Sequence, residues 1–233
     1  MGDKHISSQF DAELNSISSH VLEMGGLVES QLHQAVYSLI NLSSESARQV
    51  LDNEAKINRM EVDIDHEIIS TIGRRQPTAR DLRFLMAIAN TTRDLERAGD
   101  EIARMARMVL SIIETGSPRN LPSYEVRMAA EMAAGQLRKS LDAFARLDTS
   151  VAVAILKEDN ALDDEYNGFL RKLITYMMAD PRTISPSLDL LFLAKAIERV
   201  GDHAKNIAEQ IIFIVKGEDV RHSPMAKVES VAK

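Results

Sequence analysis

The chain has 233 residues, 45% hydrophobic and 27% charged, with a formal net charge of −7 and no cysteine. That length can bury a sizeable core in one or two domains, and the missing cysteine excludes disulfides, zinc-thiolate sites and cysteine catalysis. Net acidity, 4% aromatic content and no tryptophan argue against a nucleic-acid binder, which needs a basic footprint and stacking rings.

The first stretch, "MGDKHISSQF", has no apolar segment of the kind a secretory signal carries, so none is expected. No run of about 18 apolar residues occurs anywhere, so no membrane span is expected. Six prolines and ten glycines leave long uninterrupted stretches, and the spacing predicts six long helices. The first covers 5–42. "LSSESARQVL" then offers Ser43 or Ser44 as an N-cap for a second helix over 44–74. This helix carries Glu54-x-x-x-Asn58, and its acidic row continues through Glu61 and Asp65. "RRQPTARD" breaks the pattern, because proline lacks a donor and clashes inside a helix.

The third helix, 78–115, contains "LERAGDEIARMA". Leu95, Ala98, Ile102, Met105, Val109 and Ile112 step by three and four, which makes one buried stripe. "ETGSPRNLPSYE" is the next break. A fourth helix over 122–147 ends at "LDTSVAVAIL", where Asp148 or Thr149 caps a fifth over 149–179 bearing Asp159 and Asp163. After "MADPRTISPS" the sixth, 184–217, contains "IERVGDHAKNIA" and a second stripe from Ile197 to Ile214. The remaining 218–233 reads as a flexible tail.

Glu-Arg-x-Gly-Asp therefore occurs twice, at 96–100 and 198–202, an offset of 102. Gln31-Leu32 returns as Gln136-Leu137, Leu42 as Leu147, Ala47 as Ala152 and Leu51 as Leu156, each offset by 105. A loop three residues shorter in the second half reconciles the two offsets. The expected fold is all-α, two pseudo-symmetric three-helix bundles over 1–116 and 122–217.

Glu96 and Asp100 lie one turn apart on one helix face, as do Glu198 and Asp202. Glu54 and Asn58 align with Asp159 and Asp163 on the helix before. Two acids at this spacing repel. One reading is a solvated face paired with Arg97 and Arg199. The other is an oxygen-only cage for a hard divalent or iron ion, formed where the rows of adjacent helices meet. Asn58 is neutral, so the first-half site is expected to be the weaker one. Gly99 and Gly201 invite either close backbone or ligand approach, or tight helix packing. His203 reads as a packing or surface histidine. No Glu-x-x-His supports a di-iron oxidase, "HEIIS" lacks the second histidine of a zinc protease, and no phosphate-cradling glycine loop is present. No organic cofactor is expected.

"LERAGDEI", "IERVGDHAKNIAE", "RRQPTARDLR", "EMGGLVESQL" and "LDAFARLD" together resemble the PhoU family of phosphate-transport accessory and regulatory proteins, over 5–222. The resemblance implies two three-helix bundles and a cytoplasmic protein that represses the phosphate-starvation response. It implies contact with a phosphate ABC transporter and a sensor histidine kinase, and membrane proximity only through them. It also implies metal-holding acidic clusters, which match Glu54, Glu96, Asp100, Asp159, Asp163, Glu198 and Asp202, with Asn58 departing from the pattern. A homodimer is expected. Two functions stay open: a non-enzymatic adaptor, and a metal-dependent hydrolase or oxidase using the acidic clusters.

Overall fold

The computed structural model describes residues 8–116, 122–158 and 160–232. Among them are eight α-helices: α1 Ser8–Ile40, α2 Ser44–Arg75, α3 Ala79–Glu114, α4 Ser123–Arg146, α5 Thr149–Glu158, α6 Asn160–Ala179, α7 Ile184–Lys216 and α8 Met225–Ala232. A single 3-10 turn, Pro181–Thr183, precedes α7. No strand occurs among the described residues, and none of their helices is long and apolar enough to cross a membrane.

The apolar stripes read from the sequence form the core. Leu95, Ala98, Met105 and Val109 of α3 are fully buried, as are Ile197, Val200, Ala204 and Ile211 of α7. Burying side chains of this size stabilises a fold by roughly 1.5–3 kcal/mol each for Leu and Ile. α1, α2 and α3 pack on one another, and α4 packs with α5, α6 and α7. Between the halves like meets like: α1 packs on α4, and α3 packs on α7 in the most extensive helix pair of the molecule.

The repeat is written into the backbone at the helix ends. Leu42 and Leu147 both adopt the left-handed conformation, with φ 48° and 51°. Behind them Ser43 N donates to Ser38 O and Asp148 N donates to Ala143 O, both at 2.9 Å. These are the same six-to-one closure, one per half, with leucine where glycine is usual. Each is followed by the cap the sequence offers. Ser43 Oγ accepts from Ser46 N at 3.2 Å, and Asp148 Oδ1 accepts from Ser150 N at 3.0 Å and Val151 N at 3.1 Å.

The helix expected over 149–179 is helical as α5 and α6, and Asp159 between them lies outside the described residues. One element differs from expectation. The segment expected to be a flexible tail instead forms α8. Val228 is buried there at 3% exposure, and Glu229 pairs with Lys157 of α5 at 2.6 Å. Met225 and Val231 pack against the core beside Val228, so the short helix docks through an apolar face and an ion pair together.

Both motif glycines are packing positions. A Cβ on Gly99 would lie 3.1 Å from Ile57 Cδ1, and one on Gly201 would collide with Leu162 and sit 2.9 Å from Gln136 Oε1. Ile57 and Leu162 are repeat mates, so each half uses its glycine to seat the same neighbour. Helix packing, rather than ligand approach, accounts for the pair.

Candidate functional site

The antiparallel register of α2 and α3, set where Ile57 covers Gly99, decides which acids meet. Glu61, not Glu54, comes level with the motif. Glu61 is half-buried, and its carboxyl is pushed up by burial and by the charges of Asp65 and Asp100, with Arg93 and Arg97 opposing. Glu96 is pushed up likewise, by burial and then by Asp100 and Glu61. The first-half cluster is therefore Glu61, Asp65, Glu96 and Asp100. Glu54 lies a turn or more away and faces Arg107 at 3.6 Å, while Asn58 is exposed. The sequence carried the acidic row on to Glu61 and Asp65 but placed Glu54 and Asn58 opposite Glu96 and Asp100. An antiparallel register hung on Gly99 would have brought Glu61 level instead.

In the second half Glu198 is held by Lys195 at 2.6 Å, and that ammonium also lies over the Tyr166 ring at 5.2 Å. Asp163 is half-buried on α6, Asp202 is half-buried on α7, and Asp159 is outside the described residues. The expected ranking thus meets an opposite electrostatic balance. First-half carboxylates repel one another, and the second-half Glu198 is neutralised by a lysine. Among the described residues no three His, Asp or Glu side chains converge closely enough to hold an ion as they stand. The first-half donor set is nonetheless all oxygen and mutually repelling, which is the chemistry of a hard-cation site.

The second half of each motif turns the other way, into the seam between α3 and α7. There the helices run antiparallel through a polar ladder. Ser111 Oγ donates to Asp189 Oδ2 at 2.8 Å, and Arg199 Nη1 donates to Glu101 Oε1 at 2.8 Å. Asp94 Oδ1 accepts from Asn206 at 2.9 Å and lies 2.9 Å from His203 Nδ1, and Asn90 donates to Gln210 at 3.3 Å. Glu101 also pairs with Arg104 at 3.0 Å. His203 is thus a seam residue with a carboxylate partner. Glu101 and His203 are repeat mates, so the Arg199–Glu101 pair has no counterpart between Arg97 and His203. This ladder borders a cleft of about 910 Å³ whose lining includes Arg97, Asp100, Arg199 and Asp202. Sequence reading missed the cleft, because only folding brings 93–104 beside 199–223.

Comparison with known proteins agrees with the doubled architecture. The family description "PhoU domain" matches twice, over residues 21–109 and 126–211. A phosphate-specific transport system accessory protein PhoU homolog of Pseudomonas putida is 45% identical over 225 residues, covering 96% of this chain and 87% of the relative. The phosphate-specific transport system accessory protein PhoU of Escherichia coli K12 is 45% identical over 222 residues, covering 94% and 90%. The crystal structure of PhoU from Pseudomonas aeruginosa superposes with a TM-score of 0.85 at 44% identity, covering 90% of this chain and all of that one. The phosphate transport system regulatory protein PhoU from Streptococcus pneumoniae gives 0.83 at 26% identity, covering 91% and 99%.

Proposed function

The chain belongs to the PhoU family, and from that premise we propose that it is an accessory and regulatory protein of a phosphate transport system. In this reading it works without catalysis, as a cytoplasmic adaptor and homodimer. It bridges a phosphate ABC transporter and a sensor histidine kinase, and holds the kinase in its repressing state when phosphate is plentiful. The observation that carries the proposal is identity of 45% over nearly the whole chain to proteins named for that system.

The surface suits an adaptor. Leu82 and Met86 of α3 are exposed, and so are their repeat mates Ile184 and Leu188 of α7. Ile69 of α2 and its mate Ile174 of α6 are exposed as well. Where such groups adjoin in one patch they mark protein contacts, and a surface written twice suits a partner that is itself two-fold. The test is co-purification of transporter and kinase with the tagged chain from phosphate-replete cells, read beside a phosphate-responsive reporter. Recovery of both partners, with the reporter active only when the chain is deleted, is the expected result. Recovery of neither, with a silent reporter in the deletion strain, contradicts the adaptor.

For the acidic clusters we carry the hard-cation reading forward on Glu61, Glu96 and Asp100, with Asp65 beside them. A bound cation would neutralise repulsion that the protein leaves standing. Excess Mn²⁺ is expected to raise the melting temperature of the wild type, since a ligand of the folded state stabilises it. It should leave the Glu61→Gln/Glu96→Gln variant unmoved. An unmoved wild type contradicts the cation reading. Turnover of a phosphate ester by the Mn²⁺-loaded chain would favour the metal-dependent hydrolase instead.

A further inference from the structure

The seam cleft between α3 and α7 is chemically unlike the rest of this acidic chain. Among the described residues six arginine and lysine side chains line it against five carboxylates, with Asp219 paired to Arg221 at its edge, a concentration of positive groups in a molecule of net charge −7. Two of those carboxylates, Glu101 and Asp94, are engaged where the ladder crosses. Glu101 is held by Arg104 at 3.0 Å and Arg199 at 2.8 Å. Asp94 is held by Asn206 and His203, each at 2.9 Å. A cation binding at Glu101 or Asp94 would have to displace those partners. Arg93 and Arg97, one turn apart on α3, also line the cleft. Neither has a hydrogen bond or ion pair among the described residues; at longer range both act on Glu61, and Arg97 also on Glu96. Arg221, in the segment after α7, adds a third guanidinium, held in place by Asp219 Oδ1 at 3.0 Å from its Nε.

We propose that this cleft binds the phosphate groups of a small soluble polyanion, gripped by Arg93 and Arg97 and faced by Arg221. Guanidinium groups present planar paired donors that match phosphate oxygens, and charge-assisted bonds of this kind are about twice as strong as neutral ones. At about 910 Å³ the cleft is at the upper end of the roughly 300–1,000 Å³ range for small-molecule sites, so one orthophosphate would fill only part of it. Among the described residues the rings on its lining are the imidazoles of His203 and His222, which gives a nucleobase little to stack on. Condensed or multiply phosphorylated compounds therefore fit better than nucleotides. The site is independent of the adaptor reading, since it is a property of the purified chain.

Calorimetry on the full chain in metal-free buffer tests it, with orthophosphate, pyrophosphate and tripolyphosphate as probes and sulfate as the control. Tripolyphosphate is expected to saturate one site per chain, with affinity falling as salt rises. Orthophosphate binding comparably would identify free phosphate as the source, and binding only of the condensed probes would identify a phosphorylated compound; both support the site. Arg93→Gln/Arg97→Gln should weaken binding at least about tenfold, a difference of about 1.4 kcal/mol, with an unchanged melting temperature because both side chains are exposed. Arg107→Gln, on the same helix but off the cleft, should bind as the wild type does. No saturable heat from any phosphate probe overturns the proposal. So does full affinity in the double variant, an equal loss in Arg107→Gln, or sulfate binding as tightly as the phosphates.

Discussion

Ionising Glu96 beside Asp100 and Glu61 costs the folded chain free energy that the unfolded chain does not lose. Its carboxyl is pushed up by burial first and those two charges next. Between the range of a free glutamate and its own raised range, Glu96 keeps a proton when folded that it has released when unfolded. Its contribution to stability is therefore present at low pH and lost as pH rises through that window. Without divalent cations, Glu96→Gln should raise stability at neutral pH by about 0.2–0.5 kcal/mol, the scale of a like-charge helix pair. The gain should vanish in acid, and urea melts at several pH values would show it. Neighbouring glycines in α1 give a second contrast. A Cβ at Gly25 would be 2.5 Å from Leu141 Cδ2, whereas one at Gly26 meets nothing within 4 Å. Gly26→Ala should stabilise by up to about 1 kcal/mol from helix propensity. Gly25→Val should destabilise by about 1–3 kcal/mol from overpacking against α4.

Helices α1 to α4 and α7 were legible because their apolar stripes and breaks are long and unambiguous. The caps at Ser43 and Asp148 were legible because short polar side chains there have a specific job, closing the first turn of the next helix. What the sequence hid was lateral. Nothing in a helical period says which turn of α2 lies beside Glu96, so it could not be read that Glu61 is the α2 acid next to it. The docking of α8 was hidden for the same reason, since it depends on Val228 finding α5. The seam depends on α3 and α7 meeting at one register. Asp94→Ala should cost about 1–2 kcal/mol there, because it strands the half-buried partners Asn206 and His203. A double-mutant cycle with Asn206→Ala should return coupling, and additivity would show that the rung contributes nothing. On the outer faces, Met86→Asp with Leu188→Asp should change stability by no more than about 0.5 kcal/mol, as exposed sites do. Recovery of the partners should drop in the same variant.

At the scale of the molecule, one duplicated motif serves two surfaces. Its glycines seat Ile57 and Leu162 within each bundle. In the first half its outer acids repel across α2 and α3. Its arginines and second acids reach the seam where the halves join. The role we propose is to restrain phosphate handling when phosphate is abundant. The most direct measurement is the rate of labelled phosphate uptake in phosphate-rich cells, with the chain present, deleted and restored. We expect uptake to rise on deletion and to return to its restrained rate when the chain is restored. Uptake that is the same in all three strains would contradict the account.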